Sequence, residues 1–482
     1  MRLKNKVCFL LIIILTFLTR FLFLEKTATF VWDEPRDIHY LYQMMNEKFL
    51  TLIGPFSERG VETFGSIYCY LILPLTVFSG YDPIGPVLTI ALFGSLTIFI
   101  FYFLFSKYLG KDAWKPTLAA IGWYPLLLTG RWAWNPHLGP FWGALSLLFW
   151  LNPSLVSWFF SGFFTAIAFN CEFVASLAFF GFFLASVLRI KKENLPWTRL
   201  VALALGFLIG FSPLLLFELR HQFFFVHQFL FAQEHLTEPI FGLPSQEGLS
   251  RLFQMTIELF SVFIIPLFLS LLLVRKPINV KSKRLGNYCF LIFIANFLLL
   301  FFLRKPVDRY LFFVLPFFLF WVVAQTQNLW KEKFWGLLVG LVLLSVGLLF
   351  YWVKLPPYWQ RAIPDMRQIT MIIAEDSQSF VEEVKINVAA IQSPDQNLTG
   401  DRYRFMLWTR GIEILPKTDY HLTQVLYVIS TTPQEEKIYA DYAFEIRSLQ
   451  PFEITNHWTV NNYWYLYRLE RRPAGWSLEK LP

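Results

Sequence analysis

A chain of 482 residues that is 56% hydrophobic and only 16% charged, with 55 Phe and 18 Trp, is more apolar than a soluble domain, whose apolar share is about half. The four cysteines (Cys8, Cys69, Cys171 and Cys289) have no paired spacing, which excludes a disulfide framework and a cysteine-held metal. The formal charge of +8 lies mostly in loops between apolar runs, so it reports topology in a lipid bilayer and implies no nucleic-acid partner.

Met1 to Lys6 is short and basic, and Val7 to Leu24 is an apolar run just long enough to span. Phe21 to Lys26 lacks the small residues of a cleavage site, so the run reads as a retained helix starting in the cytoplasm. Phe30 to Tyr40, FVWDEPRDIHY, then places Asp33, Glu34, Arg36, Asp37 and His39 on the outer side. Ionisable groups next to hydrocarbon are costly and point to a functional site. A capping carboxylate with Pro35 in the first turn of a helix is the competing reading.

Phe64 to Phe78 is short and contains Pro74, whereas Ile84 to Phe105 is long. If both spanned, Lys107, Lys111 and Lys115 would face outside, against the positive-inside bias. If the first instead dips into the outer face, those lysines face the cytoplasm, and so do Arg189, Lys191, Lys192, Arg199, Arg275, Lys276, Lys281, Lys283, Arg284, Lys331 and Lys333. The resulting spans are roughly 7–24, 84–106, 116–130, 138–151, 154–170, 172–188, 198–217, 252–274, 286–303, 310–326 and 334–353, about eleven in all. The predicted fold is a polytopic α-helical membrane protein, 1–353, followed by a small extracytoplasmic α/β domain, 354–482. In that domain Ile386–Ile391, Val425–Ile429 and Tyr463–Arg468 read as strands and Asp365–Ala374 as a helix.

Four polar segments collect on the outer face: 25–63, 130–139, 218–250 and 304–310. Arg304, Lys305 and Arg309 depart from the charge bias, and such a cation cluster suits a lipid phosphate; a snorkelling helix end partly neutralised by Asp308 is the alternative. Arg131, Trp132, Trp134, Asn135 and His137 combine rings with polar tips, which suits a sugar, and equally an interfacial aromatic belt. Glu218, Arg220 and His221 follow another span and also read as a structural ion-pair group. His221, His227 and His235 have no recognisable metal spacing, and Asn397-Leu398-Thr399 is a lone glycosylation triplet. HExxH, CxxC, GxSxG and a Walker-type loop are absent from the sequence, which leaves zinc hydrolysis, serine chemistry and ATP-driven pumping without motif support.

In order along the chain stand WDEPRD (32–37), ETFGSIYCY (62–70), DPIG (82–85), RWAWNPH (131–137), FELRHQF (217–223) and a late RY, Arg309-Tyr310. This series resembles the GT-C membrane glycosyltransferases, in the branch of the protein O-mannosyltransferases and the aminoarabinose transferases. The resemblance covers about residues 5–325 and, weakly, the tail. It implies transfer of a sugar from a polyprenyl-phosphate donor to an acceptor hydroxyl on lipid, glycan or protein, at the outer face of the plasma membrane. It matches Asp33 to the acceptor-activating aspartate, Glu34 to its acidic partner, and Glu62 to the acid before the dipping segment. Thr63 and Phe64 stand where the aminoarabinose transferases continue with Lys-Pro, a departure that bears on the donor.

Substrate contacts are then expected from Glu62, Arg36, Arg131, Trp134, Asn135, His137, Arg304, Lys305, Arg309 and Tyr310. No nucleotide is required, since the activated sugar arrives on its lipid, and a divalent metal is left open as a cofactor. A flippase of lipid-linked sugars would also want outward cations and aromatics, though inverted repeats and broken helices do not stand out. A scaffold that presents the tail domain would leave Asp33 dispensable.

Overall fold

The computed structural model describes residues 3–31, 33–56, 63–172, 177–231, 245–273, 280–303, 306–361, 363–380, 384–391 and 399–473. The chain divides into two compact units. The first comprises Met1–Leu24, Met44–Leu75 and Pro86–Leu355; the second comprises Glu25–Gln43, Thr76–Gly85 and Pro356–Pro482.

The first unit is helical. Among the described residues, six helices are long and apolar enough to cross a bilayer: Ile84–Asp112, Thr198–Arg220, Gln246–Ser270, Val280–Phe302, Asp308–Gln325 and Lys333–Val353. Leu3–Phe21 and the shorter Gly139–Trp150, Leu155–Cys171 and Leu177–Glu193 are helices at the other expected spans. The span expected over 116–130 is instead two short helices, Trp114–Gly122 and Tyr124–Leu128, parted where Trp123 is extended ahead of Pro125. That over 252–274 changes to a tighter turn at Ser261–Phe263. Ile67–Phe78 is a helix of 12 residues with Pro74 inside it. At ~1.5 Å per residue this is about 18 Å long, too short to cross ~30 Å of hydrocarbon alone.

Close helix packing in this unit depends on missing side chains. Gly162 and Gly206 bring Leu155–Cys171 and Thr198–Arg220 into backbone contact: a Cβ on the first would strike the carbonyl of Leu203, and one on the second that of Phe159. Gly122 and Gly347 do the same for Trp114–Gly122 and Lys333–Val353. Small residues are the usual means of such approach in lipid, where burial of apolar surface offers little drive between helices.

Several cations that the charge pattern placed in loops are structural staples. Lys115 is buried, pairs with Asp112 at 2.8 Å and donates to the carbonyls of Trp330 and Glu332 at 2.9 and 3.0 Å. Arg189, also buried, donates to the carbonyls of Trp150 and Leu151 and lies over the Trp150 ring. Such side chains satisfy helix-end carbonyls and complement the negative end of the helix dipole.

The second unit is built on a four-stranded sheet in the order Ile386–Ala390, Val425–Ser430, Tyr465–Arg471, Phe452–Thr459. The first pair is parallel and the others antiparallel. Every residue of Val425–Ser430 is buried, as expected of a strand covered on both faces. Leu426 and Val428 pack with Ile438, Ile446, Leu449 and Leu469 in one core, and Tyr427 donates to Asp376 of the helix Ile363–Ser377 at 2.6 Å. The strand Phe452–Thr459 and the extra turns of that helix were not expected from the sequence.

This unit also takes in two earlier segments of the chain, and so differs from a plain C-terminal tail. In the helix Asp33–Asn46, His39 stacks on Trp408 at 4.4 Å and Tyr42 lies 4.9 Å from the same ring. Arg367 forks onto Asp82 at 2.7 and 2.6 Å. The stretch 25–63, which reads as a loop, is largely ordered into helices Leu24–Thr27 and Asp33–Asn46 and a strand pair, Ile53–Phe56 with Thr63–Gly65.

Candidate active site

Each unit carries one group of expected site residues. In the second unit the group is the first turn of the helix Asp33–Asn46. Glu34 is buried, accepting from the Thr29 hydroxyl at 2.8 Å and from the Val31 amide at 3.0 Å. It turns back to hold the approach to the helix, with Pro35 in the first turn. The capping reading therefore describes Glu34.

Asp33 is employed differently. Its carboxylate pairs with Arg36 at 2.7 Å and is the most accessible of three acids here, its side chain 31% exposed. Arg36 also donates from Nε and Nη2 to Asp37 Oδ1, at 3.0 and 2.6 Å. Asp37 is buried, and burial pushes its carboxyl up to about 7 against the pull of Arg36. The pair is therefore strongest above neutrality. A spacing of three and four residues sets Arg36 and Asp37 on the face of Asp33. His39 faces Trp408; burial and, behind it, Lys417 lower its pKa.

In the first unit the group is the turn 131–138 with Glu172 and Arg309. Trp132 and Trp134 stack at 5.3 Å, and His137 meets each of them edge to face. His137 Nδ1 lies 2.8 Å from the Trp132 carbonyl; a carbonyl only accepts, so Nδ1 carries the proton and Nε2 is an acceptor. Asn135 donates to the Cys171 carbonyl. The buried Asn135 Oδ1 and His137 Nε2 have no hydrogen-bond partner among the described residues. Arg309 lies over the rings of Trp134 and Tyr310, 5.1 and 5.3 Å from their centroids, and its Nε is 3.3 Å from Glu172. Rings, buried acceptors and a guanidinium thus meet within one unit, a combination able to hold a hydroxylated ring beside an anion.

Arg131 is buried away from such work. It donates to Tyr351 at 2.9 Å and to the carbonyls of Thr19 and Leu22 at 2.7 and 2.8 Å, closing the end of Leu3–Phe21. Glu62, Arg304, Lys305, His235 and Asn397 lie outside the described residues. Glu218 accepts from the amides of Phe225 and Val226 at 3.0 and 3.2 Å, in keeping with the structural reading of that segment. No group of His, Cys, Asp and Glu suited to a metal occurs among the described residues. Glu172 was missed from sequence. An acid directly after the apolar run Leu155–Cys171 is the costly kind of residue that could have disclosed it.

These elements define a polytopic helical membrane protein that carries a small α/β unit. No family model and no curated protein matches the sequence. Solved structures do match. ArnT from Cupriavidus metallidurans bound to undecaprenyl phosphate aligns with a TM-score of 0.59 and 12% identity, over 96% of this chain and 97% of that one. The same protein in the apo state aligns with a TM-score of 0.62 and 11% identity, over 95% and 97%. The chain therefore shares the fold of ArnT along nearly its whole length, in agreement with the fold that the motif series implied.

Proposed function

We propose that this protein is a glycosyltransferase that moves a sugar from a polyprenyl-phosphate carrier to an acceptor hydroxyl. The observation that carries the reading is the whole-length likeness to ArnT, a protein solved with undecaprenyl phosphate bound, together with an accessible Asp33 at the helix start that the WDEPRD motif marks.

The chemistry follows from what such a transfer needs. Asp33 takes the proton of the acceptor hydroxyl as its oxygen bonds to the anomeric carbon. Glu34 fixes the backbone that carries Asp33. The leaving lipid phosphate gains negative charge, which the cations Arg309, Arg304 and Lys305 offset. Trp134, Asn135, His137 and Tyr310 hold the sugar by ring faces and acceptors. This reading assigns both residue groups and the α/β unit to the extracytoplasmic side of the plasma membrane, which the distribution of lysine and arginine supports.

The test is transfer from radiolabelled polyprenyl-phosphate sugars by the purified protein in lipid. Asp33→Asn is expected to lower the rate roughly 100- to 10,000-fold, the range of a lost general base, with donor binding retained. Full transfer by this variant would remove Asp33 from the role. Absence of transfer by the wild type from every donor, with the lipid-linked sugar crossing the bilayer, would replace the enzyme by a flippase.

A further inference from the structure

The Asp33, Arg36 and Asp37 group holds more than a base needs. Arg36 has five N–H donors in one plane. Its Nε and Nη2 sides both close on a single oxygen of Asp37, and Nη1 reaches Asp33 at 2.7 Å. With one edge of the guanidinium held, the plane is set and the far nitrogen has one direction to point. The exposures rank in the same sense: Asp37 is 3% exposed as a residue, while the Asp33 side chain is 31% exposed.

We propose that Asp37 is a positioning residue that acts through Arg36, fixing the guanidinium so that it holds the Asp33 carboxylate in one orientation. The inference rests on the transferase reading for its effect on rate. Stability is a weak reason for such an acid, because removing a carboxylate from water offsets much of what its ion pair contributes. Orientation is a strong one. Arg36 is a long side chain with many rotamers, which each added contact narrows, and a base displaced by about an ångström can lose roughly a hundredfold in rate. The acceptor's proton still leaves to Asp33; Asp37 neither gains nor loses a covalent bond.

The experiment compares Asp37→Ala, Asp37→Glu, Arg36→Ala and the double variant Arg36→Ala/Asp37→Ala, using the full chain in lipid at pH 8, where Asp37 is ionised. We expect Asp37→Ala to lower kcat roughly ten- to a hundredfold with KM for the donor little changed, and Asp37→Glu to recover part of the loss. In the Arg36→Ala background the loss of Asp37 is expected to have no further effect. A second readout needs no donor: at pH 8 the carboxylate infrared band of Asp33, assigned by its absence in Asp33→Asn, should broaden in Asp37→Ala and narrow again in Asp37→Glu, as expected of a carboxylate whose ion-pair partner has lost its single orientation. Unchanged kcat, losses that add in the double variant, or an unchanged band shape would each overturn the proposal. If the wild type transfers no sugar, the transferase reading falls and the infrared band shape alone decides whether Asp37 positions Asp33.

Discussion

His137 occupies a connecting turn, buried among Trp132, Trp134 and Phe312, with its one proton committed to the Trp132 carbonyl. Burial pushes its pKa down to about 3, outweighing the lift from that hydrogen bond. The folded ring stays neutral while the unfolded ring takes a proton below about 6.5, so each step below that pH favours the unfolded chain. The thermal midpoint of the wild type in lipid should therefore fall between pH 6.5 and 5, and that of His137→Gln should fall less. Parallel curves would refute the assignment. At Asp33 and Glu34 the sequence offers two adjacent carboxylates with one description. Hydrogen bonds alone separate them, Glu34 to Thr29 and Val31, Asp33 to an ion pair with Arg36.

Among the helices, the packing that matters most runs through glycine. Gly206 faces the Phe159 carbonyl, and Gly162 faces that of Leu203, so neither helix of the pair Leu155–Cys171 and Thr198–Arg220 tolerates a side chain there. Gly206→Val is expected to destabilise the folded state by about 2 kcal/mol, read as a lower unfolding midpoint in detergent or lipid. Val at Gly80, where no atom lies within 4 Å of the added Cβ, tests a different cost, that of a positive φ of 65°. The apolar runs that mark the spans are visible in sequence because hydrocarbon demands about 20 apolar residues per crossing. The break at Trp123 was not read, although Pro125 was in view, because one proline marks a helix start, a kink or a turn with equal ease.

For the whole molecule, the topology makes a sharp forecast. A cysteine introduced at exposed Glu436, in the α/β unit, should react with a membrane-impermeant maleimide in intact cells; one at exposed Lys111 should react only after the cells are opened. The reverse pattern would move the α/β unit to the cytoplasmic side and with it the proposed side of transfer. The native Cys69, Cys171 and Cys289 are buried and give little background. This measurement is independent of the sugar, so it separates an error of orientation from an error of activity.

The class of protein, most of its apolar helices and the marked WDEPRD motif are legible in the sequence alone, because burial in lipid leaves a periodicity and a length that any reader of the chain can count. What only the tertiary structure decided is which of the marked residues are committed elsewhere. Arg131, Lys115 and Arg189 read from sequence as site or loop cations, yet they close helix ends with carbonyls far along the chain. Arg309 meets Glu172, a partner more than a hundred residues earlier. Hydrogen-bond partners at such separation are chosen by packing, and packing leaves no local trace in the order of residues.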